Sequence, residues 1–157
     1  MNIKTIHFSP SRKDMFKVMV MSFFKKNWIL KLMMIIMIGM IWISSVEQTM
    51  KLGLSFFVIL YYGYLIFYYW IYTGSKSNRA FYIEREMILS DDGITVNASD
   101  GSQGNTNWDN VIKVTEVADV FLLYISKSIF YYLPKSAFKS ENELNEFENF
   151  LEKGLKI

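Results

Sequence analysis

From Leu52 to Thr73 the chain runs for 22 residues without a charged side chain. As a helix rising 1.5 Å per residue, that run measures about 33 Å, enough to cross the roughly 30 Å hydrocarbon core of a bilayer. It predicts a membrane-spanning helix. A second apolar run, Trp28 to Val46, precedes it, and its one charge, Lys31, sits near the entrance, where a long aliphatic stem lets the ammonium reach the headgroups. A secretory signal would have a shorter apolar core, a small-residue cleavage site and no second apolar run close behind, so that reading is rejected. Only Glu47-Gln-Thr-Met-Lys51 separates the two runs, which predicts a two-helix transmembrane hairpin over 28–74 with both termini on one side. That side carries Arg12, Lys13, Lys17, Lys25, Lys26, Lys31, Lys76 and Arg79 in its flanks, against Lys51 opposite. The positive-inside bias then makes this a multi-pass protein of the cell membrane with both termini cytoplasmic.

Amphipathic side chains collect at the expected water boundary: Lys25, Lys26, Trp28 and Lys31 at the first helix, Tyr68, Tyr69, Trp70 and Tyr72 at the second. Together they form the predicted membrane interface. Deeper in, Tyr61, Tyr64, Tyr68 and Tyr72 recur every three or four residues, and Met33, Met37 and Met40 make a matching stripe on the first helix. Two readings stand side by side. Either the stripes pack across the hairpin as sulfur–aromatic contacts, or the hydroxyls of Tyr61, Tyr62 and Tyr64 meet an intramembrane partner, a second copy or another membrane protein. Residues 1–27 form a basic amphipathic segment. Ser9-Pro10 reads as an N-cap and first helical position for a helix to about Lys26, with Met15, Phe16, Met19, Val20, Phe23 and Phe24 on its apolar side. That helix either lies on an anionic membrane surface or docks on the soluble domain.

Charge divides the chain. Residues 1–79 hold ten Lys/Arg against two acids, whereas residues 80–157 hold seven against thirteen. A basic first half suits an anionic leaflet, and an acidic second half argues against nucleic acid and against a phosphoinositide pocket. There is no cysteine, hence no disulfide, thiolate metal site or thiol nucleophile; the one histidine, His7, makes neither a zinc site nor a triad and is expected on a surface or strand.

Gly74-Ser-Lys-Ser-Asn78 reads as a linker, and a soluble cytoplasmic domain is expected over 79–157. Alternation from Phe81 to Leu89, turn chemistry at Asp91-Asp92-Gly93 and renewed alternation at Ile94, Val96 and Ala98 predict a hairpin. Asp100-Gly101 marks another turn, and apolar runs follow at Val111 to Val117, Val120 to Ile125 and Ile129 to Leu133. Whether Asn2 to Phe8 adds an edge strand stays open. Ser140 and Glu143 make a capping box before Leu144, Phe147, Phe150, Leu151 and Leu155 at helical spacing, with Gly154 as a C-terminal cap. The fold class is therefore membrane α+β, a transmembrane helical hairpin followed by a pleckstrin-homology-like antiparallel β-barrel of six or seven strands capped by a C-terminal helix. Trp108 and Phe147 are expected to meet in its core.

Several strings carry a family resemblance: Leu89-Ser-Asp-Asp-Gly-Ile94, Trp108 with Val111-Ile-Lys-Val114, Phe121-Leu-Leu-Tyr124, and Tyr132-Leu-Pro-Lys-Ser-Ala-Phe138 before a terminal helix. They resemble the bacterial YcxB-like family, which implies a bacterial membrane protein with two transmembrane helices and a pleckstrin-homology-like C-terminal domain. The resemblance supplies no catalytic motif.

No enzyme is expected. Asp91 and Asp92 directly before Gly are turn residues rather than a converging acid/base pair, and the apolar spans hold no Asp, Glu, His or Pro for intramembrane proteolysis or proton coupling. Gly101-Ser-Gln-Gly104 lacks the Lys-Ser/Thr of a phosphate loop. No cofactor or metal is called for. Two functions remain: a non-catalytic membrane-anchored adaptor whose cytoplasmic domain binds a protein partner, or an immunity protein that protects the membrane against a bacteriocin-like cationic peptide. The acidic residues Glu141, Glu143, Glu146 and Glu148 are either a solvated helix face or the recognition surface.

Overall fold

The computed structural model describes residues 1–26, 28–127 and 129–154. In chain order it consists of strand β1 (Asn2–Lys4), helices α1 (Arg12–Lys26), α2 (Trp28–Ile43) and α3 (Gln48–Thr73), strands β2 (Arg85–Ser90), β3 (Gly93–Ala98), β4 (Gln103–Asn107), β5 (Lys113–Val117), β6 (Val120–Tyr124) and β7 (Phe130–Pro134), and helix α4 (Glu141–Gly154). Two compact units result: Lys13–Asn78, which is helical, and Met1–Arg12 together with Arg79–Ile157, which holds the strands and α4.

In the second unit the strands form two antiparallel sheets, β1-β2-β3-β4 and β5-β6-β7. Among the described residues no ladder joins them, so the expected closed barrel is replaced by two sheets around one core. The break falls at Trp108–Asn110, a 3-10 turn whose first residue swings its indole inward, donating Nε1–H to the Ser90 carbonyl at 2.7 Å. The core takes Ile3 from β1, Met87 and Leu89 from β2, Ile94 and Val96 from β3, Phe121 and Leu123 from β6, Leu133 from β7, and Phe147 and Leu151 from α4. Trp108 and Phe147 do meet, with ring centroids 6.3 Å apart. Ser140 caps α4 by accepting the Glu143 N–H at 3.3 Å, while the Glu143 carboxylate reaches back to the Lys139 N–H at 3.0 Å. The helix continues to Gly154, and Leu155 lies outside the described residues.

The open question about Asn2 to Phe8 is answered by pairing. β1 lies antiparallel to β2 with Ile3 opposite Leu89, Thr5 exchanges hydrogen bonds with Met87, and Phe8 bridges Arg85. The strand-bearing unit is thus discontinuous in sequence, differing from the expected bounds of 79–157. Two further differences have local causes. Residues 76–82 form a 3-10 helix instead of opening the strand at Phe81, because the Arg85 side chain gathers the carbonyls of Ala80, Phe81 and Ile83 and curls that segment. Gly74 to Asn78 is consequently not a loose linker: Asn78 is buried and donates to the Tyr72 carbonyl at 2.6 Å. β4, Gln-Gly-Asn-Thr-Asn, escapes the sequence reading because it has no apolar residue; it is a strand through its register with β3, Gly93 opposite Asn107.

That register makes Gly93 irreplaceable. A Cβ there would lie 2.4 Å from the Thr106 carbonyl oxygen and 3.0 Å from Asn107 Cα, both backbone atoms of β4. Gly93→Ala is expected to lower stability by about 1–3 kcal/mol through forced separation of the strands. Gly104→Ala, whose Cβ meets the Tyr131 hydroxyl at 3.7 Å, is the matched control and is expected to be near neutral. Denaturant midpoints of the two variants check this, and equal midpoints would contradict the close approach.

Candidate functional site: the helix seam and its outer faces

In the helical unit, α3 is 26 residues long, about 39 Å, and is the described helix that by itself is long and apolar enough to cross a membrane. α2 stops at Ile43 after 16 residues, about 24 Å, short of the expected span to Val46 and of the roughly 30 Å core. α1 and the Lys31–Ile43 stretch meet at a 68° bend and qualify as a span only when taken together. α1 itself begins at Arg12, two residues after the expected Pro10.

The inward residues of α3 repeat at intervals of three or four: Lys51, Ser55, Val58, Tyr62, Leu65 and Tyr69 are half-buried and Thr73 is buried. On α2 the same spacing selects Lys31, Met34, Ile38 and Ile41. This is the seam of an antiparallel helix pair. Trp42 Nε1–H donates to Ser55 Oγ at 3.1 Å near one end, and the Tyr62 hydroxyl lies 3.7 Å from Met34 Sδ further along. α1 takes over against the C-terminal half of α3, with Phe24 stacked on Tyr62, Phe23 against Tyr69 and Phe16 edge-on to Trp70. The expected stripes are therefore displaced by one residue. Tyr64, Tyr68 and Tyr72 are exposed and line up on each other with centroids 6.3–6.4 Å apart, Tyr61 is exposed beside Tyr62, and Met33, Met37 and Met40 also face outward. Of the three hydroxyls assigned to an outside partner, that of Tyr62 is engaged within the unit.

The predicted interface residues separate likewise. Lys25, Lys26, Trp28, Tyr68, Trp70 and Tyr72 are exposed, but Tyr69 belongs to the seam. Lys31 does not extend away from the helices: its ammonium donates to the carbonyls of Phe23 and Phe24, the latter at 2.8 Å, and lies 4.4 and 4.9 Å from the centroids of those two rings. It neutralises the C-terminal end of α1. Lys51 does the same for α2, donating to Trp42 O at 3.1 Å and Ser44 O at 2.8 Å. A groove of about 500 Å³ opens beside the seam, lined by Lys31, Met33, Met37, Met40, Tyr61 and neighbouring apolar side chains.

In the strand-bearing unit, polar chemistry is concentrated in two clusters. Glu86 accepts from Lys4 at 3.1 Å and Asn97 at 3.2 Å, and His7 Nε2 lies 3.4 Å from it, tying the N-terminal segment to β2 and β3; the Lys4 bond, followed by that from Asn97, holds its carboxyl below the ordinary glutamate range. Lys135 lies between Glu116 and Glu148, 2.8 Å from each, over the Phe121 ring, and the two carboxylates raise its pKa. Of the four α4 acids singled out in the sequence, Glu143 thus serves the cap and Glu148 a salt bridge, while Glu141 and Glu146 stay on the exposed face. Asp91, three-quarters exposed, pairs with the Met1 ammonium at 2.7 Å, as befits a turn residue.

Residues 89–151 match the family model described as YcxB-like protein. The YcxB-like stretch runs from the end of β2 through Leu151 of α4, contains all four strings that carry the sequence resemblance, and supports that family; it leaves out β1 and the helical unit. No curated protein and no solved structure matches the chain.

Proposed function

We propose that this chain is a non-catalytic, membrane-anchored adaptor. Its helical unit forms a transmembrane hairpin, and its strand-bearing unit is a pleckstrin-homology-like domain that binds a protein partner at the cytoplasmic face. The observation that carries the proposal is the outer surface of α3: Phe57, Ile59 and Phe67 are 71, 68 and 60% exposed, and none of the most apolar window of the helix is buried within the chain. Apolar surface left open along a whole helix calls for lipid or protein to cover it. The shorter α2 fits the same role through local thinning of the bilayer or recruitment of the last turn of α1. Four strands, then three, then one amphipathic helix on the shared core support the pleckstrin-homology-like reading, with two unjoined sheets in place of a closed barrel. Charge agrees: Lys13–Asn78 carries seven Lys/Arg and two acids, while the strand-bearing unit carries ten and thirteen.

Alkaline carbonate is expected to leave the full chain in the membrane pellet. A fluorescent protein fused after Ile157 is expected to glow in the cytoplasm, whereas a phosphatase inserted at Ser45-Val46 is expected to be active outside it. Release by carbonate, or an exported C-terminus, sinks the anchored reading. For the adaptor role, a partner held by the full chain in mild detergent should be lost when the strand-bearing unit is unfolded by Phe147→Ala; retention would move binding to the helices.

A further inference from the structure

The register of the three-stranded sheet sets three isoleucines abreast at one end. Lys113 lies opposite Tyr124 and Tyr124 opposite Phe130, so the next residues out, Ile112, Ile125 and Ile129, form a row across the ends of β5, β6 and β7. Backbone bonds continue into the row: the Ile112 N–H donates to the Tyr124 carbonyl at 2.9 Å and the Ile125 N–H to the Ile129 carbonyl at 3.0 Å. Ser126 closes the turn, its hydroxyl accepting the Ile129 N–H at 3.0 Å. Ile125 packs on the core, but Ile112 and Ile129 extend past it and are 62 and 58% exposed. Among the described residues of this unit, the other exposed large apolar side chain is Ile6. Lys113 and Lys127 flank the row; both are exposed, and neither enters a salt bridge among the described residues. Of the nearby acids, Glu116 is already held by Lys135 at 2.8 Å, which leaves Asp109 and Glu84 in the neighbouring loops. Phe81, whose ring centroid lies 6.1 Å from that of Phe130, is eight residues past Thr73, and Lys76 and Arg79 fall between.

We propose that this end of the strand-bearing unit docks on the anionic cytoplasmic leaflet, with Ile112 and Ile129 entering the boundary between headgroups and acyl chains and Lys113 and Lys127 meeting lipid phosphates beside them. Apolar tips flanked by lysines suit that boundary, because the isoleucines leave water while the ammonium groups stay at the charged surface. Charge selects the leaflet over a second copy. The unit as a whole carries ten Lys/Arg against thirteen acids, yet Lys113 and Lys127 stand on this end and Lys76 and Arg79 lie in the segment leading to Phe81. An isologous pairing of the same face would set its lysines against each other. Two isoleucines are a small surface for a freely diffusing domain, but eight residues reach at most about 29 Å, and so short a tether to a membrane helix makes a weak contact sufficient. The contact rests on the anchored reading above and adds a peripheral attachment of the strand-bearing unit to it.

The test uses the full chain in nanodiscs of phosphatidylcholine with a minor fraction of phosphatidylglycerol, some lipids carrying a quencher near the top of the acyl chain. The chain has no cysteine, so a bimane label can be placed singly at Ile112→Cys, at Ile129→Cys, or at Asp119→Cys in the β5–β6 turn at the opposite end of the same sheet. Labels at 112 and 129 are expected to be quenched by the lipid and the label at 119 to be spared. Lys113→Gln and Lys127→Gln should each lower the ratio of docked to free domain by about fivefold, the attraction of one basic residue to an anionic leaflet. Arginine at both positions should keep the docking, and nanodiscs without phosphatidylglycerol should lose it. Equal quenching at all three positions overturns the contact, as does no quenching at 112 and 129, or quenching indifferent to both the lysines and phosphatidylglycerol. A blue shift at 112 and 129 without lipid quenching, growing with the number of chains per disc, assigns the row to a second copy and overturns the leaflet contact. A chain that never enters nanodiscs and is released by carbonate fails the anchored reading itself, which separates the two failures.

Discussion

Phe147→Ala is expected to cost the strand-bearing unit about 3–5 kcal/mol, the range for deleting a fully buried aromatic ring. Phe147 has no exposed surface and touches rings from three directions: Phe121 at 5.3 Å edge-on, Phe138 at 5.4 Å and Trp108 at 6.3 Å. These come from β6, from the segment before α4 and from the turn between the sheets, so one side chain ties the three-stranded sheet, that turn and the helix to a common centre. The cavity left by truncation cannot be refilled without moving all three. A domain of this size has about 5–15 kcal/mol in total, so the variant should melt some 15 °C or more below the parent. Hydrogen exchange of the full chain in detergent measures it region by region: amides of β6 and α4 should lose protection together, while those of α3 keep theirs. Unchanged protection of α4 would show that the helix is not part of the core.

Residues 79–157 expressed without the first twelve residues are expected not to fold cooperatively. β1 is short, but Ile3 is buried to 1% exposure against Leu89, and Thr5 satisfies Met87 twice, through its own N–H and by accepting the Met87 N–H on Oγ1, both at 2.9 Å. Ile6 adds a bond to the Ala137 carbonyl, and Phe8 and Arg85 exchange a pair. Losing Ile3 costs about 2–5 kcal/mol as a large-to-small change. The stranded backbone groups of β2 add about 1–3 kcal/mol for each one left buried and unpaired. The sum is comparable to the whole stability of such a domain. Within the full chain, Ile3→Ala should show the first term alone and Thr5→Val the second. A sharp thermal transition in the 79–157 fragment would make β1 dispensable and return the domain boundary to Arg79.

Much of this protein is set by local sequence. The apolar run Leu52 to Thr73 specifies α3, since length and lack of charge suffice for a long apolar helix. Turn chemistry at Asp91-Asp92-Gly93 and at Asp100-Gly101, where Gly101 adopts φ 86°, specifies two reversals, and the Ser140–Glu143 box starts α4. Alternation at Leu89, apolar runs around Phe121 and Leu133 and helical spacing at Phe147 then point to core positions. What tertiary structure alone decided falls into two kinds. β1 and β4 have little intrinsic strand signal, one being three residues long and the other entirely polar, and they exist because β2 and β3 offer edges to pair with. In the helical unit the obstacle is different. Hydrophobicity distinguishes core from water, but on α2 and α3 the seam and the outer face are equally apolar, so periodicity finds stripes without saying which one faces the neighbour. The small and polar residues Ser55 and Thr73 mark the true seam, one position away from the tyrosine and methionine stripes. The partners of Lys31 follow from the same packing, because only the tertiary structure brings the carbonyls and rings of Phe23 and Phe24 at the end of α1 to its ammonium.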